Sequence, residues 1–144
     1  MKCISLPIVV AAGVAGLLLG GCSVPAGLKA LDRAATSEDT LPAFVILPEG
    51  VSGSSARLLV TQDGVRYFAA ESDDARTACV AVVPPGESPD WHVGCSDASG
   101  PGQIVTVSGQ NGSLSTTLLA DGSDTGKLVP GWTKIADNIL VSDR

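Results

Sequence analysis

Short runs of strand-forming residues, separated by turn residues at close intervals, are the feature that most limits how this 144-residue chain can fold. The runs are rich in Val, Thr and Ile, which favour strands, and clusters of Gly, Pro, Asp, Asn and Ser separate them. Beyond residue 40, no window longer than about ten residues shows a helical apolar repeat. The sequence therefore predicts an all-β fold, a small antiparallel sandwich or open barrel, with strands at residues 44–47, 57–62, 65–70, 78–83, 91–95, 104–108, 113–120 and 139–142.

Two Asx-Gly dipeptides, Asp63-Gly64 and Asn111-Gly112, set the expected register of two hairpins. Both central positions of a type I′ turn need positive φ, which Asp, Asn and Gly adopt more readily than other residues. The cross-strand pairs that follow are Val60 with Tyr67 and Leu58 with Ala69 in the first hairpin, and Val107 with Thr116 and Val105 with Leu118 in the second.

The first 22 residues have the anatomy of a bacterial lipoprotein signal peptide. Lys2 precedes an apolar stretch over residues 4–21, which closes on the motif Leu19-Gly20-Gly21-Cys22. An uncleaved membrane anchor is the alternative. The stretch is a little shorter than the roughly 20 residues that a spanning helix needs, and a proline and two glycines interrupt it. We therefore expect residues 1–21 to be removed and Cys22 to carry the acyl chains that hold the protein on the extracytoplasmic face of the cell membrane.

The remaining chain has room for one small domain. Residues 22–40 are small and mixed in character, and we expect them to form a flexible tether. Residues 41–144 then form a single β domain that can bury a modest core.

The charge balance argues against some classes of partner and identifies none. The chain carries 15 acidic and 9 basic residues, for a formal net charge of −6. Its basic residues are scattered singly, so no patch exists that would neutralise nucleic-acid phosphates. We expect the membrane, through the anchor on Cys22, to be one partner and an envelope protein to be another, with no nucleic acid.

Cys79 and Cys95 are the two cysteines beyond the predicted acylation site. An even pair in an exported, oxidising compartment predicts a disulfide, whereas a metal site would need further ligands in a chain with one histidine. If the two cysteines face each other across an antiparallel pair, their side chains lie on one core face. The same register pairs Ala81 with Val93 and Val83 with Trp91.

The order of several turn and cysteine motifs resembles a group of small, uncharacterised extracytoplasmic proteins and lipoproteins of actinobacteria. The motifs are Asp-x-Leu-Pro at residues 39–42, Trp-x-x-Gly-Cys at residues 91–95, the Asp-Gly turn at residues 121–122 and Gly-Trp-Thr-x-Ile-x-x-Asn-Ile at residues 131–139. The resemblance covers about two thirds of the chain. It implies a fold and a location, and it transfers no catalytic residue.

His92, the single histidine, is the residue that acid–base chemistry at neutral pH would have to recruit. In the predicted register it points away from the face of Trp91 and Cys95, toward the outer side of its strand and beside Asp90. No Gly-x-Ser-x-Gly nucleophile elbow occurs beyond residue 22. We therefore predict no catalytic residue, no enzymatic activity and no cofactor.

Three residues remain as possible contact residues: Asp121, Asp124 and Trp132. The segment from Asp121 to Gly126 resembles the first half of a calcium loop, but Trp132 stands where the bidentate carboxylate would be. A hairpin turn is the favoured interpretation, we predict no metal site, and cation binding by this loop stays open. Trp132 follows Pro130-Gly131 and is either exposed for contact or buried in a core with few large residues.

The sequence thus favours a non-enzymatic envelope protein, an interaction or accessory module for another surface protein. The alternative is a lipoprotein that binds a small molecule or a cation. A minor hydrolase would require an unrecognised nucleophile near His92.

Overall fold

Two four-stranded antiparallel sheets face each other in the computed structural model, which describes residues 27–87, 90–98, 100–110, 114–125 and 130–142. The predicted all-β sandwich is therefore confirmed. Sheet 1 has the order β1-β2-β3-β4 and sheet 2 has the order β5-β6-β8-β7. The strands are β1 (Arg57–Gln62), β2 (Val65–Glu71), β3 (Thr77–Val83), β4 (His92–Asp97), β5 (Gln103–Ser108), β6 (Ser115–Leu119), β7 (Trp132–Ala136) and β8 (Ile139–Ser142).

Helical structure is limited to short pieces. The helix α1 (Lys29–Asp32) is a single turn, and two 3₁₀ turns lie at Ser37–Asp39 and Gly53–Ser55. Within the described ranges, no helix has the length and apolar character needed to cross a membrane.

The first predicted hairpin forms with one local change of register. Asp63 and Gly64 have φ values of 51° and 80°, as the tight turn requires, and Val60 pairs with Tyr67. The predicted pair of Leu58 with Ala69 is wrong, because a β-bulge between Leu58 and Val60 shifts the ladder by one residue. Leu58 accordingly pairs with Phe68, and Arg57 pairs with Ala69.

The other two hairpins follow the predicted registers almost throughout. Val107 pairs with Thr116 and Val105 with Leu118, although Asn111 and Gly112 themselves lie outside the described residues. Cys79 pairs with Cys95 and forms the predicted disulfide, and Ala81 pairs with Val93. That ladder ends at Val82 and His92, so the predicted pair of Val83 with Trp91 does not form.

Sheet 1 is buried on both of its faces. Its inner face packs against sheet 2, where Tyr67 and Val80 contact the cluster that contains Leu118 and Ile139. This burial explains why the central strand β3, Thr-Ala-Cys-Val-Ala-Val-Val, is an almost continuous apolar run rather than an alternating one.

The disulfide lies on the opposite, outer face of sheet 1. Cys79 and Phe68 pack there against apolar residues from the segment 41–56, among them Leu41 and Phe44. The expectation that the disulfide marks the core face of the sandwich is therefore wrong, since this face belongs to a second apolar layer. Residues 44–47, predicted as a strand, cover the sheet without pairing with it, and the sequence missed β7.

Residues 27–40 correct the predicted boundary between tether and domain. Leu28 and Leu31 are 5% and 9% exposed, and both belong to the core cluster between the sheets. Spaced three residues apart around α1, they present one apolar edge to the end of the sandwich. The domain therefore extends at least to Gly27 instead of beginning at residue 41, while residues 22–26 lie outside the described residues.

The two sheets approach most closely where β4 passes β5. A Cβ atom built on Gly94 would overlap Cγ1 of Val107, so only glycine fits between the sheets at this point. We expect Gly94→Ala to lower the free energy of unfolding by about 1–3 kcal/mol through overpacking. Chemical denaturation measures the change.

The partner substitution Val107→Ala provides the control for that prediction. If the overlap is the cause, the double variant loses less stability than the sum of the two single variants. Strict additivity of the two losses would contradict the close approach of these two residues.

Candidate functional site

The sandwich opens on the side opposite the close contact of β4 with β5. There a cleft of about 500 Å³ separates the β1–β2 hairpin from β7 and β8. Its apolar lining is contributed by both sheets: Val65 and Tyr67 from sheet 1, Ile135 and Val141 from sheet 2, and Leu114 before β6. The cleft is therefore a gap between two sheet edges that no side chain of the described core fills.

Polar residues border this apolar lining. Gln62 and Asp63 come from the end of β1 and its turn, and Thr133 and Ser142 come from sheet 2. Gln62, Asp63 and Thr133 are exposed to solvent. The cleft thus has apolar walls and a polar border with one carboxylate, which is the usual composition of a site for a small ligand.

Tyr67 is the most buried residue of the cleft, with 3% of its surface exposed. Burial raises the pKa of its hydroxyl, and the negative charge of Asp63 raises it further. The phenol therefore stays neutral well above physiological pH and remains able to donate a hydrogen bond. Sequence reasoning assigned Tyr67 to a strand face but missed its place in the cleft, because the gap depends on how the two sheets diverge.

No family model, curated protein or solved structure matches this chain.

Trp132, a predicted contact residue, does not line the cleft. Trp132 is the first residue of β7 and pairs with Ser142. Its neighbour Thr133 faces the cleft. By the alternation of side chains along a strand, Trp132 shares the outer face of sheet 2 with Lys134. Its side chain is half-buried there.

Asp121, the second predicted contact residue, is a structural clamp. Its Oδ2 accepts a hydrogen bond from the backbone N–H of Lys29 at 2.8 Å, and its Oδ1 accepts one from Nδ2 of Asn138 at 2.8 Å. Its own backbone N–H donates to the carbonyl of Gly27 at 2.8 Å. The carboxylate therefore holds the N-terminal segment to the β7–β8 turn, which opposes its use as a calcium ligand.

Asp124 lies exposed beyond this clamp, and Gly126, the last residue of the segment that resembles the first half of a calcium loop, lies outside the described residues. Among the residues that the structure describes, no group of three or more His, Cys, Asp and Glu side chains is placed to hold a metal ion.

His92 lies on the strand face opposite Cys95, as predicted, but that face meets sheet 2 and is not the outer side of the sandwich. It pairs with Val82, whose side chain belongs to the core between the sheets, so the imidazole points toward sheet 2 instead of outward. Nδ1 is 3.1 Å from the carbonyl oxygen of Asp90, and Nε2 is buried and has no hydrogen-bond partner within the described part of the chain. The sequence error follows from taking the disulfide face as the face toward the sandwich core.

A second concavity, of about 360 Å³, surrounds Asp39. Asp39 is 3% exposed and accepts two hydrogen bonds from the guanidinium of Arg33, each at 2.6 Å. It accepts further bonds from the backbone N–H and hydroxyl of Thr36 and from the backbone N–H of Leu58. Both carboxylate oxygens are thus engaged within the protein, and this residue holds the chain in place before β1.

Proposed function

We propose that this protein is a non-enzymatic lipoprotein, anchored through Cys22 on the extracytoplasmic face of the membrane, that binds a small molecule in the cleft between its two sheets. The observation that carries the proposal is the cleft itself. Its volume of about 500 Å³ lies within the range of about 300–1,000 Å³ that small-molecule sites occupy.

The lining residues define the ligand by chemical class. Apolar walls around Tyr67 suit a ligand with an apolar body. The phenol can donate a hydrogen bond to an acceptor on that body, and the Asp63 carboxylate at the border favours a cationic or hydrogen-bond-donating group. A ligand that carries a negative charge next to Asp63 would be disfavoured.

The position of His92 supports a binding function over a hydrolytic one. Its imidazole is directed between the sheets and contacts the carbonyl of Asp90, and it is not part of the cleft. A general base must reach the proton that it removes. Turnover of any substrate that is abolished by His92→Ala would overturn this part of the proposal.

Because the protein has this cleft, we favour ligand binding over the hypothesis of an accessory module for another surface protein. Ile46, at 73% exposed, is the large hydrophobic side chain that stands out on the described surface. A single exposed apolar residue is ordinary for a monomeric protein. Binding to an envelope protein stays a prediction, to be tested by cross-linking in native membranes.

Filling the cleft tests the proposed site. We expect the apolar fluorophore N-phenyl-1-naphthylamine to bind the wild-type protein and Val65→Trp to abolish that binding, because the indole would occupy space between the sheets. Fluorescence titration measures the affinity. Thr61→Trp, on an exposed position of the same hairpin, is the matched control and should bind as the wild type does.

Equal binding by Val65→Trp and Thr61→Trp would place the fluorophore outside the cleft and contradict the proposal, as would no binding to the wild type. Tyr67→Phe removes only the hydroxyl, so it should still bind this probe, which is almost entirely aromatic hydrocarbon. Intact-mass measurement of the chain purified from membranes tests the anchor, which should add acyl chains to Cys22.

A further inference from the structure

The path of the chain before β1 bears on how the domain is oriented at the membrane. The expected tether of residues 22–40 would let the domain move freely above the bilayer, because an extended segment of this length spans roughly 60 Å. The structure removes most of that length from the tether. Residues 27–40 are fixed on the domain, as shown by the buried side chains of Leu28 and Leu31.

Two polar clamps hold this segment in addition to the buried leucines. Asp121 binds the backbone of Gly27 and Lys29 at one end of the segment. At the other end, the guanidinium of Arg33 forms an ion pair with Asp39, and the carbonyl of Arg33 accepts a hydrogen bond from Nε of Arg57 at 2.9 Å. The fixed part of the chain therefore begins no later than Gly27.

Only five peptide units join Cys22 to Gly27. Since an extended chain advances at most about 3.6 Å per residue, residue 22 lies within about 18 Å of Gly27 in any conformation. The end of the sandwich that carries α1 and Asp121 is thus the end next to the anchor.

The cleft lies at the other end of the same strands. Strand β6 ends at Leu119, beside the Asp121 clamp, and begins at Ser115, whose backbone N–H donates to the hydroxyl of the cleft residue Ser142 at 2.8 Å. At about 3.3 Å per residue, the length of β6 separates the two ends by roughly 15 Å or more.

We propose that the domain stands on the membrane with its α1 end toward the bilayer and its cleft turned away from it, so that the cleft takes its ligand from the aqueous phase and not from the lipid. The orientation rests on the proposed function in that residue 22 lies at the membrane surface, and the source of the ligand rests on it in that the cleft binds one. An acylated Cys22 and an uncleaved apolar stretch at residues 4–21 both satisfy the first of these conditions.

Photo-cross-linking to lipid from the two ends of sheet 1 tests the orientation in the full chain. Asp97→p-benzoylphenylalanine places the probe at the end of β4, next to Ala98, which belongs to the core cluster of Leu28 and Leu31. Glu87→p-benzoylphenylalanine places it in the loop after β3, which lies against the β1–β2 turn through Pro85 and Gly64. Both native residues are exposed and acidic, so the variants are matched.

After illumination of the membranes, we expect the variant with the probe at position 97 to form phospholipid adducts and the variant with the probe at position 87 to form none. Adducts from both positions alike, or mainly from position 87, in protein recovered from the membrane fraction would overturn the orientation. Protein that is recovered in the soluble fraction without adducts would overturn the anchor and the orientation together.

Intact mass of the same samples separates the two proposals. A chain that retains residues 1–21 in the membrane and forms adducts at position 97 alone contradicts acylation but supports the orientation. A third variant tests the reach of the spacer: about 20 Gly and Ser residues inserted after Ala26 form a flexible coil that lifts the domain from the bilayer. This insertion should abolish the adducts at position 97. If the adducts persist, the domain itself adheres to lipid, and the short spacer is not what brings position 97 to the bilayer.

Discussion

Replacing Asp39 with asparagine is expected to lower the free energy of unfolding by about 3 kcal/mol, because the substitution breaks a charged network at a buried carboxylate. The carboxylate accepts hydrogen bonds from Arg33, Thr36 and Leu58, and an amide cannot accept them all. The guanidinium of Arg33 is 41% exposed. Water therefore solvates it after the loss, which keeps the cost at the lower end of the range for a broken buried pair.

Urea denaturation of Asp39→Asn measures this loss, and Asp32→Asn is its matched control. Asp32 is an exposed acid of the same segment, in α1, so its neutralisation should leave stability within about 0.5 kcal/mol of wild type. Equal stability of the two variants would show that the network around Asp39 contributes nothing to the fold.

The same carboxylate predicts how stability depends on pH. Hydrogen bonds from Arg33, assisted by those from Thr36 and Leu58, lower the pKa of Asp39 far below its usual range despite its burial. A carboxylate with a lowered pKa stabilises the fold above the pKa of the unfolded chain, about 3.9, and this contribution is lost as the pH falls further. We expect stability to drop below about pH 4, and to drop less steeply in Asp39→Asn than in the wild type.

Loss of the disulfide is the second large effect that we expect. Cys79 and Cys95 close a loop with a sequence separation of 16, and the chain-entropy model gives about 3 kcal/mol for a loop of this length. Because Cys79 is completely buried beneath the segment 41–56, the double variant Cys79→Ala and Cys95→Ala also leaves a small cavity. In a domain of this size, the melting temperature should fall by roughly 10–20 °C.

Treatment with a reducing agent distinguishes the stability that comes from the cross-link from the stability that comes from packing of the cysteine side chains. It should lower the melting temperature of the wild-type protein toward that of the double alanine variant and leave the variant itself unchanged. A wild-type melting temperature that is insensitive to full reduction, verified by thiol titration, would contradict the stabilising role of the disulfide.

The hydrogen bonds of Asp39 and Asn138 also explain why the motifs that resemble those of the actinobacterial proteins indicate a fold and no activity. Asp39 opens the Asp-x-Leu-Pro motif and closes the network with Arg33. Asn138, in the C-terminal motif, donates from Nδ2 to the carbonyl of Leu119 at 2.9 Å and to Asp121. These motif residues hold loops to strands, so their presence indicates a fold, and they point to no reaction.

The wrong placement of His92 and of the disulfide has one physical origin. Alternation along a strand assigns His92 and the disulfide to opposite faces, and the structure agrees. It does not say which face meets the second sheet, because both faces of sheet 1 are covered by apolar residues. The apolar pair Leu28 and Leu31 could not be assigned to the core from the sequence either, because α1 packs against β1 and β2, which lie much further along the chain.

The sequence by itself determined seven of the eight described strands, the tight turn at Asp63-Gly64 and the pairing of Cys79 with Cys95, because these depend on residues that are near neighbours along the chain or across one hairpin. Only the tertiary structure decided the position of the cleft and the attachment of residues 27–40. The cleft depends on how the two sheets separate away from their close contact at Gly94. The attachment of residues 27–40 depends on contacts with Asp121 and Arg57. Both are therefore set by packing among residues far apart in the chain.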